Sequence, residues 1–267
     1  MSQNFNLNRY RLLFLKNLSE NFLKYLLFFS GIILVLSFIF FKAFPILERI
    51  ITIKDGSKII QKEPDFLMQN IILNMLLIFG GALFTSSIFN EYGNKKGAIS
   101  GITLPASITE KFWVAWTLSV KIFAISSLIL YYLILWIVVL IMRQPDFHFF
   151  NLWSLSGFKI FIDFLFIQSI YFLGAIYFNK HHFIKTSLLI VVLGSLFSYS
   201  NGHLLPIIMG KDFMGFTQNG GDLILKNMVI YSRNHRFPLN ILKELIFFVL
   251  AVIFWTASYF KLKEKEV

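Results

Sequence analysis

Six long apolar blocks, separated by short polar segments, set the pattern of this sequence. Each block contains few charged side chains and is about 20 residues or longer, which is the length of α-helix that crosses a hydrocarbon core about 30 Å thick. The strands of a membrane barrel are shorter and alternate apolar with polar positions, so block length favours helices. The predicted spans cover residues 25–44, 66–89, 112–142, 158–178, 186–209 and 239–260.

Two of these blocks depart from a plain spanning helix. Residues 112–142 are too long for one perpendicular crossing, so their first turns are expected in the interface or beyond it. The block at 186–209 contains the polar string SYSNGHLLP, and non-helical backbone at membrane depth must be shielded by protein or by a wet cavity. We therefore expect a broken or re-entrant element over 198–209, between spans five and six.

The segment before the first span has an amphipathic character. Over residues 9–23, Leu12 and Leu15 alternate with Arg11 and Lys16, a mixture that favours a helix lying in the headgroup layer. A short solvated lead-in to the first span is the alternative. Because no repeat and no Pro/Ser-rich linker divides the chain, residues 1–267 are predicted to form a single, all-α transmembrane domain of a polytopic membrane protein.

Composition supports this assignment. The chain is 57% hydrophobic and 15% charged with a mean hydropathy of +0.69, whereas a soluble domain is about 25% charged. Its net charge of +11 is spread among the apolar blocks and forms no stripe, which favours lipid headgroups over nucleic acid as the counter-charge. The absence of cysteine excludes disulfides, thiolate metal sites and a cysteine nucleophile.

The predicted orientation of the chain across the membrane depends on the charges around the first span. Lys and Arg residues of the loops divide evenly between the two sides, but Arg9, Arg11, Lys16 and Lys24 all precede the first block. Positive charge before the first span favours a cytoplasmic amino terminus. An even number of spans then returns the carboxyl terminus to the same side.

A polar stretch between the second and third blocks, SGITLPASITEKFW at 100–113, carries local signals for a helix start. Ser107 followed by Glu110 is a capping box, in which each residue's side chain accepts a hydrogen bond from the other's amide. Pro105 holds Leu104 out of the helical region, so the third helix is predicted to begin at Ser107.

The longer string EYGNKKGAISGITLPASITEKFWVAW, together with the terminal SYFKLKEKEV, resembles permease subunits of type-2 ABC exporters, particularly the small six-span permeases of Bacteroidota. In that family a Glu opens the cytoplasmic loop between spans two and three, and a Leu-Pro-Ala-Ser-x-x-Glu-Lys-Phe string begins the third span. The matching positions are Glu91, Leu104, Pro105, Ala106, Ser107, Glu110, Lys111 and Phe112.

The resemblance implies a partner assembly in the bacterial inner membrane. Two permease subunits, identical or related, pair with two copies of a separate cytoplasmic ATPase that binds ATP and Mg²⁺. It also implies that residues 90–111 form the cytoplasmic coupling loop that docks into the ATPase. The implied coupling residues are Glu91, Lys95, Lys96, Pro105, Ser107, Glu110 and Lys111.

The sequence has no ATPase of its own, because the phosphate-binding pattern G-x-x-x-x-G-K-[ST] is absent from it. We therefore expect this chain to bind no cofactor and to hold no catalytic residue.

Polar residues inside the blocks are candidates for a substrate pathway or for contacts between helices. Lys121 is read as a substrate or gating charge, or as a side chain that snorkels to the interface. Asp163 is expected to pair with Lys159 one turn earlier. The deeper amides, which favour interhelical hydrogen bonds over pathway lining, are Asn70, Asn74 and Gln168.

Two other classes of membrane protein share this hydropathy pattern. An intramembrane enzyme would need H-E-x-x-H, G-x-S-x-G or a pair of intramembrane Asp residues, and none of these patterns occurs, nor does a metal-ligand motif. A non-transporting membrane protein, such as an assembly, sensor or immunity factor, would share the hydropathy but would not need a docking loop.

Overall fold

The computed structural model describes residues 5–43, 48–52, 60–64, 66–88, 107–143, 147–178, 181–209 and 239–265. These residues form a bundle of long helices, preceded by one shorter helix and interrupted by a pair of strands.

The shorter helix, α1 (Leu7–Glu20), comes before the first span. The side chain of Asn6 caps it, because its Oδ1 accepts a hydrogen bond from the amide of Asn8 at 2.9 Å. A break at Asn21 separates α1 from α2 (Phe22–Ala43). A helix therefore occupies most of the segment 9–23, but it runs from Leu7 to Glu20, and the first spanning helix begins at Phe22 instead of residue 25. The interfacial position of α1 stays a prediction.

Two spans share a three-part build, in which a π-helical segment joins two α-helices. The second span consists of α3 (Phe66–Met75), π1 (Leu76–Gly80) and α4 (Gly81–Ile88). The third consists of α5 (Ile108–Trp116), π2 (Thr117–Ile122) and α6 (Phe123–Ile141). The remaining helices are α7 (Leu155–Tyr177), α8 (His182–Met209) and α9 (Leu239–Lys265).

Five helical segments of the described residues are long and apolar enough to cross a membrane. They are Phe22–Ala43, Met68–Ile88, Ile108–Ile141, Leu155–Tyr177 and Lys243–Glu264. These segments correspond to predicted spans one, two, three, four and six. The architecture is that of a polytopic helical membrane protein.

The fifth predicted block falls in α8, of which His182–Leu196 is a shorter apolar stretch. The backbone is helical from His182 to Met209, so the expected break over 198–209 is not seen. A sixth crossing and a re-entrant form of this segment stay predictions.

The strands lie between the first two spans and were not predicted. β1 (Glu48–Thr52) and β2 (Ile60–Pro64) pair antiparallel, with Glu48 opposite Pro64 and Thr52 opposite Ile60. The all-α prediction holds for the bundle, and this short ribbon is an addition to it.

Ring contacts fix the direction of α2 relative to α6. Phe29 of α2 lies 6.5 Å from Phe123 between ring centroids, and Phe40 lies 5.2 Å from Tyr131. Because both partners advance together along the two helices, α2 and α6 are parallel.

The fourth span runs the other way. Phe164 of α7 contacts Phe123, whereas Phe172, two turns later, contacts Phe112, so α7 is antiparallel to the third span.

The last helix is parallel to α7. Phe166 stacks on Phe247 at 4.7 Å between centroids, and the ammonium of Lys261 lies 5.6 Å from the ring centroid of Tyr177. The starts of α2 and α5 and the ends of α7 and α9 therefore share one end of the bundle, which we call the Glu110 end.

Small residues allow the helices to approach closely, and Gly174 provides a test. A Cβ atom at Gly174 would overlap the side chain of Thr186, which is buried and bonded to the carbonyl of His182 at 2.8 Å. Gly174→Ala should lower the free energy of unfolding by about 1–3 kcal/mol, because α7 and α8 must separate. The measurement is SDS-titrated unfolding of the purified protein in mixed micelles.

The control is Gly194→Ala on α8, where an added Cβ would meet nothing within 4 Å. Its stability should be unchanged or slightly higher, because alanine favours a helix over glycine. Equal stability of the two variants would contradict the close packing of α7 against α8.

Candidate functional site

The carboxylate of Glu110 connects two helices that are far apart in sequence. It lies at the start of α5 and is fully buried, with 0% of its surface exposed. Each of its oxygens accepts hydrogen bonds from this chain. We call the residues around it, Asn6, Arg9, Ser107 and Glu110, the Glu110 cluster.

The local half of the cluster is the predicted capping box. The amide of Ser107 donates to Oε2 of Glu110 at 2.9 Å, and the amide of Glu110 donates to the Ser107 hydroxyl at 3.3 Å. The first amides of a helix have no partner inside it, so this exchange satisfies two of them. The helix starts at Ile108, directly after the predicted cap.

The distant half comes from α1. The amide of Asn6 donates to Oε1 of Glu110 at 2.7 Å, and Nη2 of Arg9 lies 3.2 Å from the same oxygen. The Asn6 side chain caps α1 while its own amide is bound to Glu110. One carboxylate therefore holds the capping residues of both α1 and α5.

Burial decides what Glu110 can do chemically. An ionised carboxylate away from water is costly unless it is paired and hydrogen-bonded, and here Arg9 supplies the charge while two amides supply the bonds. Its oxygens face the inside of this chain, where they brace the start of α5.

Further hydrogen bonds extend the attachment of α1 along the bundle. The Tyr10 hydroxyl lies 2.9 Å from the Thr117 hydroxyl, at the start of π2. At the other end of α1, the Tyr25 hydroxyl donates to Oδ1 of Asn17 at 2.7 Å. α1 is thus tied both to the third span and to the first.

A second polar cluster lies within the bundle around Gln168. Its Nε2 donates to the Thr85 hydroxyl of α4 and, at 2.8 Å, to the carbonyl of Ser119 in π2. Gln168 is buried, and a Cβ at Gly81 would lie only 2.8 Å from its Oε1. The amide therefore joins three spans, the interhelical role expected of it, at a π segment, where helical hydrogen bonding is irregular.

Gln69 plays a comparable part at the opposite end, and sequence analysis missed it. Its side chain accepts from the amide of Phe150 at 2.9 Å and donates to the carbonyl of His148 at 3.2 Å. The hydroxyl of Tyr131 donates to the main-chain carbonyl of Gln69, and the hydroxyl of Tyr132 donates to the main-chain carbonyl of Phe150, both at 2.8 Å. These bonds hold a non-helical connection against the bundle.

The other predicted pathway residues do not gather into one site. Asn70 and Asn74 are half-buried on the second span, and Asn74 Oδ1 has no hydrogen-bond partner among the described residues. Lys121 is exposed, with its ammonium 5.5 Å from the ring centroid of Trp116, in the direction of the Glu110 end. That geometry fits the snorkelling alternative.

Asp163 is half-buried and lies in the field of two cations, Lys243 of α9 and Lys159 one turn before it. The predicted neighbour Lys159 is therefore joined by a second lysine from the last helix. The arrangement balances charge between α7 and α9.

The predicted coupling residues divide into two groups. Ser107 and Glu110 belong to the Glu110 cluster, and Lys111 beside them is buried. The remaining four lie outside the described residues: Glu91, Lys95, Lys96 and Pro105. Within the described ranges, no group of three or more His, Cys, Asp or Glu residues is placed to hold a metal ion.

Comparisons with protein-family models, with curated proteins and with solved structures found no match to this chain.

Removal of the Glu110 carboxylate should loosen both helix starts. Glu110→Ala leaves the amides of Asn6 and Ser107 without their acceptor, so we expect the free energy of unfolding to fall by about 2–4 kcal/mol. Hydrogen exchange should also become faster over α1. Unfolding in mixed micelles and exchange mass spectrometry provide the two measurements.

Glu20→Ala is the matched control, because Glu20 also pairs with a basic residue of α1 but is 59% exposed, 3.7 Å from Lys16. Such surface pairs contribute little, so stability should change by less than about 0.5 kcal/mol. If the two variants lost equal stability, the carboxylate of Glu110 would not be the connection between α1 and α5.

Proposed function

We propose that this chain is the membrane-spanning permease subunit of an ATP-driven ABC exporter. It would move its substrate across the bacterial inner membrane while coupled to a separate cytoplasmic ATPase that carries the ATP and Mg²⁺. A second permease subunit, identical or related, would complete the membrane part of the assembly.

The observation that carries the proposal is the Glu110 cluster. Its residues Ser107 and Glu110 lie at the carboxyl end of the segment 90–111, which resembles the coupling loop of type-2 exporters, and they join the start of α5 to α1. A pull on the loop would move α5 and α1 together, because both helix starts are bonded to one buried carboxylate. Mechanical coupling to an ATPase needs such a stiff attachment.

The implied coupling residues fall into two groups with different proposed roles, bracing and docking. Ser107 and Glu110 make these hydrogen bonds within this chain, so their role is to brace the start of α5. The charges left for docking to the ATPase are those of Glu91, Lys95 and Lys96, upstream of Pro105 in the same loop.

Helix directions support the sixth crossing that this family has. α7 and α9 are parallel, so if both cross the bilayer, the chain between them must return to the side where α7 begins. α8 starts beside the end of α7, where the Tyr171 and Ser187 hydroxyls are 2.7 Å apart. At 28 residues it is about 42 Å long, enough for the return through a core about 30 Å thick.

The same geometry supports the proposed orientation. α1, the start of α5 and the end of α9 all lie at the Glu110 end, which would be cytoplasmic together with both termini. The basic residues that precede the first spanning helix, Arg9, Arg11 and Lys16, lie at this end. Positive residues in short segments beside spans favour the cytoplasmic side.

The proposal is tested by purification of the tagged full-length chain in mild detergent from its native host. A stoichiometric ATPase should accompany it. Arg9→Gln removes the cation of the cluster but leaves the capping box, so the ATPase should still bind while ATP turnover of the reconstituted complex falls about tenfold.

Arg11→Gln is the control for this variant, because Arg11 is an exposed arginine of the same helix. Its complex should turn over ATP as the wild type does. The proposal fails if no ATPase accompanies a well-folded protein, a result that would favour the non-transporting alternative. Equal turnover in both variants would show that the Glu110 cluster does not couple the subunits.

A further inference from the structure

An apolar groove of about 530 Å³ runs along the outside of the bundle, between α2 and the second span. Its floor is formed by the buried side chains of Leu36 and Ile72, with Phe28 and Ile32 beside them. Its lining contains no charged side chain. Water would find no hydrogen-bond partner among these apolar side chains, so the groove favours an apolar occupant.

The groove opens sideways, where the bilayer would lie. Leu27, Met75 and Phe79 form its rims and are 58–68% exposed. Gly31 widens its middle, because a Cβ built there would meet nothing within 4 Å. The opening therefore faces hydrocarbon along its length and is not a closed internal cavity.

A cation stands at one mouth of the groove. Lys24 precedes Phe28 by one turn and Gly31 by two, on the same stripe of α2, and it is exposed at the Glu110 end. Its ammonium is held at the junction of α1 and α2, where it donates to Oδ1 of Asn21 at 2.8 Å. The groove thus combines an apolar trough with positive charge at the level of the headgroups.

Size distinguishes between possible occupants. From Leu27 to Ile39 the groove follows thirteen residues of α2, a rise of about 18 Å, which is close to the depth of one leaflet at about 15 Å. A length close to that of one leaflet suits an acyl chain, which runs from the headgroup level to the bilayer midplane. A single extended hydrocarbon chain is narrow enough to enter.

We propose that this groove binds one acyl chain of an anionic phospholipid from the surrounding bilayer, with the lipid phosphate against the ammonium of Lys24. Apolar burial along α2 and the second span supplies the binding energy. Lys24 supplies the preference for a negative headgroup. The site does not depend on an ATPase partner or on transport.

The experiment is native mass spectrometry of the delipidated full-length protein, offered an equimolar mixture of phosphatidylglycerol and phosphatidylcholine with identical acyl chains. The wild type should retain one phosphatidylglycerol about fivefold more often than phosphatidylcholine. Gly31→Leu places a side chain in the open middle of the groove, so retention of either lipid should fall about tenfold. Lys24→Gln should keep a lipid but lose the preference.

Each variant has a matched control. Gly194→Leu adds the same side chain to another apolar helix, α8, with open space around it, and it should retain lipid as the wild type does. Lys263→Gln removes a different exposed cation of the Glu110 end and should keep the preference for phosphatidylglycerol. Gly31→Ala favours the helix and should fold normally, with an intermediate loss of lipid.

Three results would overturn the proposal. Undiminished lipid retention in Gly31→Leu would show that no chain lies in the groove, and an equal loss in Gly194→Leu would show that retention is unspecific. If Gly31→Leu instead converted a dimer to a monomer with lipid retention unchanged, the groove would be an interface between two copies of this chain.

Discussion

The rest of the bundle depends on one buried carboxylate that cannot be left unpaired. Glu110 sits where the third span begins, and the energetic cost of its burial is offset only while Asn6, Arg9 and Ser107 keep their places. Because Asn6 and Arg9 lie at the start of α1, that helix, which precedes the spans, is fixed to the start of the third span. The structure therefore has a rigid corner, the Glu110 cluster, at the end of the polar loop between spans two and three.

That corner leads directly into irregular helix. α5 is only nine residues long before π2 begins, and π2 is where Tyr10 and Gln168 make their contacts. A helix bonded in the regular pattern transmits a displacement as a rigid rod, whereas a π segment has a distorted ladder and gives way more easily. Gln168 donates to the Ser119 carbonyl inside that segment and so ties it to α7. In the proposed exporter, movement of the Glu110 corner would reach the fourth span through this amide.

The sequence predicted the parts of this arrangement that depend on neighbours along the chain. Span lengths follow from apolar runs and the capping box follows from two residues three apart; the structure agrees with five of the six predicted spans and with the capping box. Asn6 and Arg9 carried no such signal, because their contact with Glu110 joins residues about a hundred positions apart. Gln69 was missed for a related reason: in a block this apolar, periodicity does not tell which face an amide takes, and its partners are backbone groups of a distant loop. The strands β1 and β2 were not predicted, because they contain charged residues and lie in the connection between spans one and two.

The two ends of α1 relate the proposed coupling to the proposed lipid. Its first turn is bonded to Glu110, and its last turn reaches Asn21, which bonds both back to the carbonyl of Asn17 at 3.3 Å and forward to Lys24. A phosphate drawn to Lys24 would therefore lie at the junction between α1 and α2. Because α1 is attached at both ends, a lipid that stiffened this junction would also restrict the Glu110 corner. The groove and the Glu110 cluster are separate sites, but each is connected to one end of α1.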